Sequence, residues 1–534
     1  MTTVVIQPLT FPVAAEPHET VRPSRERLAA IDIGSNSIHM IVVAAEPNGG
    51  YQVLGREREM VRLGKTGLGE GALSEAAMRD GLEALVKMTT LARLKGAERV
   101  VAVATSAVRE SSNGEDFLAR VKAQTGLDVQ LLTGVEEGRL IYRAVREVVD
   151  LGPGPASIVD VGGGSTEWIN TRGGDVEQVV SLTLGSLRCA ADLKGDPPGD
   201  TRVGRLRRRI QKRLAEAVPK GPAGRLVATS GTAVCCADLI DLFADRPWKD
   251  LSGSLREVRA KDLTQLILRL ATMKRRQIAD LPPVGGPRSD SLLAGAILLE
   301  ELVAHAGADR FHVCDRALRE GLVLAALGQP IPASAEPEDL RRRQILQLAE
   351  RAESVYRHNL QSARLALRLF DVTASLHGLG TREREWLEYA ALLHDIGYSI
   401  HYRGHHKHAY YLITNAVLDA FDQREIEIIA HVARYHRGAT PKSGHPTMAA
   451  LRPWQQKAVK RLSALLRIAD SLDRTHASRV DEIYASIRAG RVTLEILSRY
   501  DVELELEAAR EQGRFFEKVF DCRLRLRQGL EVAG

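Results

Sequence analysis

The sequence predicts an α/β protein whose duplicated two-lobe core is followed by an all-α domain and a small C-terminal segment that contains β-strands. Three observations lead to this fold class. Strand-like and helix-like segments alternate over residues 28–327. Within that region, two short motifs recur in the same order at nearly one offset. After it, apolar residues first take helical spacing and then alternate with polar residues near the C-terminus.

The length and composition are those of a multidomain globular protein. The chain has 534 residues, of which 44% are hydrophobic and 27% are charged, and this length exceeds what one core usually serves. Aromatic residues make up only 4%, which argues against the stacking platforms that bind single-stranded nucleic acid. We therefore expect no nucleic-acid partner. The net charge of +6 suits an anionic ligand.

The cysteines and the apolar runs indicate a compartment. Five cysteines occur without C-x-x-C spacing, which predicts free thiols in a reducing environment. No apolar run has the length of a membrane span, and the N-terminus lacks the pattern of a secretory signal. We expect a cytoplasmic protein with no membrane partner.

The chain divides into five predicted segments. Four prolines and few apolar runs predict a flexible tail at the N-terminus, and a Pro- and Ala-rich stretch over Gly328–Pro337 predicts a linker. Helical spacing over 339–370, 382–395, 424–436 and 454–474 predicts an all-α domain. Alternation at Val492–Ile496 and at Val502–Leu506 predicts strands. The expected segments are the tail 1–27, lobe I 28–150, lobe II 151–327, a helical domain 338–478 and an α+β appendage 479–534.

An internal repeat predicts that the core is duplicated. The segment Ile31–Ser37 resembles Val159–Ser165, and Ala102–Ala107 resembles Leu226–Gly231. The first pair is offset by 160 − 32 = 128 residues and the second by 228 − 104 = 124. Two unrelated motifs that recur in order at nearly one offset favour duplication of one α/β unit. We expect the equivalent turns to face each other across a cleft.

The repeated turns have the chemistry of a phosphate site. Glycine and serine leave backbone N–H groups uncovered, and these groups bind phosphate oxygens. A single turn of this kind is equally well explained as a hairpin whose Asp bonds its own backbone. Because a carboxylate repels phosphate, Asp32, Asp160 and Glu167 are expected to hold Mg²⁺ (or Mn²⁺) between them and the phosphate. The predicted phosphate-binding residues are Gly34, Ser35, Asn36, Ser37, Gly162, Gly163, Gly164, Ser165, Thr166, Thr105 and Ser106.

Several ordered motifs resemble the Ppx/GppA family, which comprises exopolyphosphatases and guanosine pentaphosphate phosphohydrolases of the actin-like (ASKHA, ribonuclease H-like) superfold. The resemblance spans roughly residues 28–325. It implies metal-dependent hydrolysis of terminal phosphate from inorganic polyphosphate, and a homodimer. The motifs are DIGSNSIH at Asp32–His39, TSAVR at Thr105–Arg109, TGVEEGRLIY at Thr133–Tyr142 and DVGGGSTE at Asp160–Glu167.

The resemblance assigns the catalytic carboxylate to Glu137, which would orient and deprotonate the attacking water. Position alone favours another role for Glu136 and Glu137, because acids in the first turn of a helix complement its dipole. We expect that structural role for Glu136. Arg109 is expected to stabilise phosphoryl charge, with a surface arginine as the alternative. His39 lies on an apolar strand and is expected to be a hydrogen-bonded core histidine.

A second metal pattern lies in the helical region, where Leu392–Ile413 resembles the HD extension of long family members. His394 and Asp395 follow one helical segment, with His358 on an earlier segment and Asp470 on a later one. That order is the metal-binding pattern of HD phosphohydrolases, and its ligands suit Mn²⁺, Fe²⁺ or Zn²⁺. The alternative is an inactive module that dimerises or extends a polyphosphate channel. Histidines that could support a second ion are His405, His406, His408, His431 and His436.

The expected activity is that of an exopolyphosphatase, and four alternatives stay open. Hydrolysis of guanosine pentaphosphate would use the same cleft. An actin-like kinase or ATPase would share the glycine-rich turns but not the TGVEEGRLIY segment. A sensor protein would keep the fold without Asp32, Glu137 and Asp160 acting together. An HD phosphohydrolase with a regulatory actin-like part would depend on His394.

Overall fold

The computed structural model describes residues 26–46, 50–64, 71–219, 224–246, 255–328, 337–350, 352, 355–416, 418 and 420–529. Nearly all of the predicted tail and of the predicted linker falls outside these ranges. The chain separates into two compact units, Met1–Leu340 and Arg341–Gly534. Within the described ranges, no helix combines the length and the apolar character needed to cross a membrane.

The first unit begins with a sheet of β-branched strands that we call the lobe I sheet. Its strand order is β3-β2-β1-β4-β5, with β1, β2 and β3 antiparallel and β4 and β5 parallel to β1. The strands are β1 Arg27–Ile33, β2 Ile38–Ala45, β3 Tyr51–Glu59, β4 Arg99–Ala104 and β5 Val129–Leu131. The helices that accompany them are α1 Glu75–Leu94, α2 Ser106–Arg109, α3 Gly114–Thr125 and α4 Gly134–Arg146.

The lobe II sheet repeats this arrangement. Its order is β10-β11-β9-β6-β7-β8, so an antiparallel three-stranded meander again pairs with a parallel strand on its inner side. The strands are β6 Pro155–Val161, β7 Thr166–Arg172, β8 Asp175–Leu182, β9 Arg225–Thr229, β10 Arg256–Arg259 and β11 Arg310–Val313. The helices are α5 Ser186–Ala190, α6 Asp200–Ala217, α7 Gly231–Phe243, α8 Ala260–Thr272, α9 Arg275–Ala279, α10 Leu292–His305 and α11 Leu318–Ala326.

Two helices exchanged between the lobes form a shared core. Helix α4 follows the lobe I sheet but packs on β7 and β8, whereas α11 follows the lobe II sheet and packs on β1 and β2. The two helices also pack on each other, and a Cβ added at Gly321 would lie 2.0 Å from the Leu140 carbonyl oxygen. Residues of α4 share one apolar core with residues of both sheets, among them Ile141 of α4, Val103 of β4 and Ile158 of β6.

The second unit is helical, as predicted, but its first predicted helix is interrupted. The sequence spacing predicts one helix over 339–370, whereas the structure has α12 and α13 as separate helices, with Ala352 in a turn between them. The sequence between the two helices contains no Pro or Gly, so it gives no local signal that the first helix ends there. The helices are α12 Pro337–Glu350, α13 Tyr356–Val372, α14 Ala374–His377, α15 Thr381–Leu393, α16 His405–Thr414, α17 Gln423–Arg434, α18 Pro446–Ala449 and α19 Pro453–Ser471.

The C-terminal segment contains three strands and one helix among the described residues. The sheet order is β12-β13-β14, with Glu482–Arg488, Arg491–Leu497 and Arg523–Gly529, and α20 spans Glu503–Phe520. The predicted strand at Val502–Leu506 is therefore wrong, because this stretch starts α20. Leu504 is 62% exposed, while Leu506 and Phe516 are buried, so the apolar face has helical rather than alternating spacing.

Candidate active site

The two repeated turns of the first unit are in contact. The first turn follows β1 and the second follows β6. A Cβ built on Gly163 would lie 3.1 Å from the Ser35 Cβ and 3.5 Å from the Asn36 backbone nitrogen. A side chain at position 163 would push the turns a few tenths of an ångström apart, so the glycine keeps both turns close at one opening.

A cavity of about 450 Å³ opens between these turns. All of the predicted turn residues line it except Gly164 and Thr166. Asp32, Asp160, Glu137, Thr105 and Ser106 line it as well. The structure therefore brings most of the predicted phosphate-binding residues to one place.

Gly164 and Thr166 support the second turn from behind. The Gly164 carbonyl accepts a hydrogen bond from Arg188 Nε at 3.0 Å, and Thr166 Oγ1 donates to the Leu184 carbonyl at 2.6 Å. In the first turn, by contrast, Ser35 Oγ lies 3.0 Å from Ser106 Oγ, and both residues line the cavity. The hydroxyl pair joins the first turn to the second repeated motif of the same lobe.

Glu136 and Glu137 differ in environment although they are adjacent in sequence. Glu136 closes a capping box with Thr133: its backbone N–H donates to Thr133 Oγ1 at 3.2 Å, and its carboxylate accepts from the Thr133 N–H at 2.8 Å. Glu137 is 8% exposed and lines the cavity, and its Oε2 lies 3.5 Å from Arg109 Nη1. Arg109 also donates to the Leu132 carbonyl at 2.6 Å, so it is fixed beside Glu137 rather than at the cavity wall.

Four carboxylates lie close to one another around the cavity. Asp160 and Glu167 are direct partners across β6 and β7, and Ser181 Oγ donates to Glu167 Oε1 at 2.9 Å. Asp32 Oδ1 and Glu137 Oε2 are buried and have no hydrogen-bond partner among the described residues. Buried carboxylate oxygens without a hydrogen bond are costly, and the Arg109 guanidinium offsets only one of four carboxylates, so the cluster fits a cation or protons.

The pKa values of these groups follow mainly from burial. Burial raises the pKa of Asp32 to about 7, against the opposing effect of the Arg319 guanidinium, and burial raises that of Glu167 to about 7. Burial, then repulsion from Glu167 and Asp32, raises the pKa values of Glu137 and Asp160 well above their ordinary values. Hard oxygen ligands in this number are the donor set that Mg²⁺ or Mn²⁺ prefers, so the residues present fit such an ion.

Part of the cavity wall is cationic, and the sequence did not predict it. Arg58, Arg288 and Arg319 line this part. Burial, then Arg288 and Arg319, lower the pKa of Arg58 to about 10, which shows how closely the three charges are held. His39 was expected in the core but lines the cavity, with Nδ1 at 3.1 Å from Arg319 Nη1 and Nε2 at 2.7 Å from Ser37 Oγ. No sequence spacing links these residues, because they come from β2, β3 and two distant segments of lobe II.

The four predicted metal ligands of the second unit lie together. Asp470 Oδ1 is 3.1 Å from His358 Nε2 and 3.3 Å from His394 Nε2. Asp395 Oδ2 is 3.9 Å from the first of these nitrogens and 3.8 Å from the second. Three different segments, α13, the end of α15 and α19, supply these side chains.

The fold and the first cavity define a two-lobed α/β protein whose duplicated glycine-rich turns and buried carboxylates share one cavity. Residues 42–329 match the Ppx/GppA phosphatase family, and residues 340–510 match Ppx/GppA phosphatase, domain III. The chain belongs to the Ppx/GppA phosphatase family, and the predicted duplicated, actin-like core is confirmed. The region predicted as an HD-type domain matches the domain III model of this family.

Individual relatives agree with this assignment. Exopolyphosphatase 1 of Mycobacterium tuberculosis is 31% identical over 314 residues, which are 58% of this chain and 90% of that protein. Guanosine-5'-triphosphate,3'-diphosphate pyrophosphatase of Pseudoalteromonas translucida is 28% identical over 476 residues, which are 84% of this chain and 87% of the relative. The Aquifex aeolicus Ppx/GppA family member aligns at a TM-score of 0.50 and 28% identity, over 57% of this chain and 97% of that structure.

A crystal structure of an exopolyphosphatase from Cytophaga hutchinsonii aligns at a TM-score of 0.54 and 24% identity, covering 58% of this chain and all of that structure. At this identity the likeness concerns the fold alone. The predictions of an enzyme and of a phosphatase are confirmed by the family and by the named relatives.

Proposed function

We propose that this phosphatase is an exopolyphosphatase that removes the terminal phosphate of inorganic polyphosphate in the cavity between the two turns. One observation carries the proposal: a buried carboxylate, Glu137, lines the same cavity as the facing turns that contain Gly34 and Gly163. A hydrolase of phosphoanhydrides must bind the terminal phosphate and must position a water molecule beside it.

The backbone N–H groups of both turns bind the oxygens of the terminal phosphate, and the Ser35 and Ser165 hydroxyls add donors. Glu137 accepts a proton from the water that attacks the phosphorus. Arg109, 3.5 Å from Glu137, keeps this carboxylate in position and favours its charged form. The leaving phosphate chain extends toward Arg58, Arg288 and Arg319, whose charges offset that of the polyanion.

A divalent cation belongs to this proposal because the buried acids fit one. Asp32, Asp160 and Glu167 would hold Mg²⁺ or Mn²⁺, which would neutralise charge on the phosphate when bound. Without a cation, Asp32 and Asp160 would face an anionic substrate, and burial raises the pKa values of both carboxyl groups above their ordinary range.

Guanosine pentaphosphate is the second candidate substrate. It carries a terminal phosphoanhydride that fits the same turns, and the relative named for this activity covers 84% of the present chain. A long polyanion would gain more from three neighbouring arginines than a nucleotide would, which is why we place polyphosphate first.

A substrate panel tests the proposal. Phosphate release from polyphosphate, guanosine pentaphosphate and ATP is measured with Mg²⁺ on wild type, Glu137→Gln and Glu136→Gln. We expect polyphosphate to give the highest kcat/KM, a loss of at least about a hundredfold for Glu137→Gln, and little change for its neighbour. Near-normal turnover by Glu137→Gln contradicts the assigned base, and a preference for the nucleotide reverses the order of the two substrates.

We further propose that residues 338–478 form an HD-type domain in which His358, His394, Asp395 and Asp470 hold a transition metal. If this domain rather than the cleft were the hydrolytic site, His394→Ala would abolish polyphosphate hydrolysis and Glu137→Gln would spare it. We expect the reverse. The homodimer, the cytoplasmic location and the other segment bounds, 1–27, 28–150, 151–327 and 479–534, stay predictions.

A further inference from the structure

Three polar residues form a row across the lobe II sheet. In the strand register, Asp160 on β6 pairs with Glu167 on β7, and Glu167 pairs in turn with Ser181 on β8. Ser181 Oγ donates a hydrogen bond to Glu167 Oε1 at 2.9 Å. Glu167 is 1% exposed, so its carboxylate depends on groups of the protein for such bonds. Ser181 therefore holds one oxygen of an acid that we assign to the cation.

The equivalent row of lobe I ends on a different residue. There Asp32 pairs with His39, and His39 pairs with Arg58. The Arg58 side chain lines the cavity, whereas the shorter Ser181 side chain reaches Glu167 on the neighbouring strand. The third position of the row therefore carries a cavity residue in lobe I and a residue that supports an acid in lobe II.

Ser181 also contacts the helix that carries Glu137. Gly134 begins α4, and a Cβ built on it would lie 2.2 Å from the Ser181 Cβ and 2.3 Å from the Ser181 Oγ. One turn later, a Cβ built on Gly138 would lie 2.4 Å from Cγ1 of Val179, which is two residues before Ser181 on β8. Glu137 lies between these two glycines in the sequence, so the contact with β8 determines where its backbone lies.

Glu167 is close to two of the carboxylates that line the cavity. Burial is the main cause of the raised pKa values of Glu137 and Asp160, and Glu167 is the charged neighbour that raises both of them most. A displacement of the Glu167 carboxylate would therefore affect both the proposed base and a proposed cation ligand. The hydrogen bond from Ser181 matters to the cavity although Ser181 lies behind Glu167.

We infer that Ser181 is a positioning residue for the proposed reaction. Its hydroxyl fixes the Glu167 carboxylate for the cation, and its small side chain admits the first turn of α4 beside β8. The inference rests on the activity and the cation site proposed above, in which Glu167 is a ligand. Removal of a hydrogen-bond partner of a metal ligand typically lowers metal affinity or activity by about 10- to 100-fold.

Metal binding tests the role of the hydroxyl without any substrate. Mn²⁺ is titrated, with detection by electron paramagnetic resonance, into full chains that carry His394→Ala, which disables the metal site proposed for the second unit. We expect Ser181→Ala to bind Mn²⁺ at least about tenfold more weakly than the parent chain. The matched control is Ser157→Ala, which removes a similar bond in the same sheet, from Ser157 Oγ to Asn170 Oδ1 at 2.9 Å, and should keep the parent affinity. Equal affinity of Ser181→Ala and the parent, or no binding by the parent, overturns the role of the hydroxyl.

Steady-state kinetics separate positioning from a loss of structure. Ser181→Ala should need about tenfold more Mg²⁺ than wild type for half-maximal release of phosphate from polyphosphate. At saturating Mg²⁺ its kcat should recover toward the wild-type value, with an unchanged KM for polyphosphate because the arginines of the cavity are untouched. A kcat that stays low at every Mg²⁺ concentration overturns positioning for the cation, since metal does not restore a distorted cavity. The Mn²⁺ titration gives its result for Ser181 even if polyphosphate is not hydrolysed, which distinguishes this inference from the proposed activity.

A pair of substitutions tests the contact with α4. Gly134→Ala places a Cβ 2.2 Å from the Ser181 Cβ, so the first turn of α4 must shift and kcat should fall about tenfold or more. Ser181→Gly vacates this space, so the double variant Gly134→Ala with Ser181→Gly should regain part of the lost kcat at saturating Mg²⁺. Thermal melts of each variant confirm folding. Normal turnover by Gly134→Ala, or a double variant no faster than Gly134→Ala alone, overturns the role of the contact.

Discussion

The two lobes place the same backbone around the phosphate cavity but supply opposite chemistry at one equivalent position. In lobe I, Asp32 on β1 pairs across the sheet with His39 on β2. In lobe II, Asp160 on β6 pairs with Glu167 on β7. The strand register is identical, so the repeat places a histidine in one lobe where the other has a carboxylate.

This difference gives the two equivalent positions different charged neighbours. His39 contacts Arg319 at 3.1 Å and lies on the cationic side, whereas Glu167 adds a third acid to Asp32 and Asp160. Duplication therefore provides paired backbone donors for the phosphate, and divergence at one position separates the side that fits a cation from the side that fits the rest of a polyanion.

The largest expected effect comes from neutralising Glu167, the carboxylate that occupies the position equivalent to His39. Glu167→Gln keeps the shape of the side chain but removes a charge that we assign to the cation, so phosphate release should fall about a hundredfold and more Mg²⁺ should be needed for half-maximal rate. His39→Gln should cost about tenfold, mainly through a higher KM for polyphosphate, because it acts through Arg319.

Steady-state kinetics over a range of Mg²⁺ concentrations measure both variants. The control is Glu115→Gln, an exposed acid in the first turn of α3, which should behave like wild type. Equal losses for Glu167→Gln and His39→Gln, with an unchanged requirement for Mg²⁺, would contradict the different roles of these two positions.

The contact between the turns gives the next effect. In Gly163→Ala, the new Cβ would lie 3.1 Å from the Ser35 Cβ and 3.2 Å from Leu187 Cδ1, so the turns must separate by a few tenths of an ångström. Misplacement of the donors should lower kcat/KM about tenfold. Gly154→Ala, in the same lobe but with no atom within 4 Å of its Cβ, should leave kcat/KM unchanged. An unimpaired Gly163→Ala would show that contact between the turns is not required.

Much of this core was predictable from the sequence, because the repeat indicates both where strands end and which positions of the two sheets are equivalent. The glycine and serine turns after Ile33 and Val161 identify strand ends, and their common offset implies equivalent positions in two sheets. The predicted turn residues therefore came together at one cavity. The prediction was wrong at Val502–Leu506. Three apolar residues in this short stretch fit the spacing of a strand as well as that of a helix, and the structure has the start of α20 there.

The cationic side of the cavity was not predictable, for a physical reason. Arg58 lies at the end of β3, where basic and acidic residues alternate. Arg288 precedes α10 and belongs to no recognisable sequence motif. From the sequence, each would be assigned to the solvent-exposed surface, and only the folded structure brings both to the cavity. His39 was assigned to the core because its neighbours along β2 are apolar, although its own side chain reaches the opening.

The raised pKa values of the acids predict a pH dependence for the metal-free protein. Asp32 ordinarily has a pKa of 3.8, and burial raises it to about 7 in the folded state. The folded state then holds a proton that the unfolded state releases, so the free energy of unfolding should fall as the pH rises from about 4 to about 7.

Thermal melts in chelator across this range measure the effect. Asp32→Asn, which has no carboxyl group to titrate, should show a shallower decline than wild type, and saturating Mg²⁺ should reduce the decline in wild type because a cation stabilises the charged form. Identical slopes for both proteins would mean that the Asp32 carboxyl group is not protonated in the folded state.

The smallest effect concerns the second repeated motif, in which equivalent serines have different roles. Ser106 bonds Ser35, whereas Ser230 has a φ of 104° and caps α7 by accepting hydrogen bonds from the N–H groups of Thr232 and Ala233. Ser230→Ala removes the cap and keeps the strained backbone, so it should cost about 1 kcal/mol. Ser230→Gly removes the same cap but relieves the strain, and urea denaturation should place its stability within a few tenths of a kcal/mol of wild type. Equal losses in both variants would show that the backbone at this position carries no strain and that the hydroxyl alone accounts for the difference between the lobes.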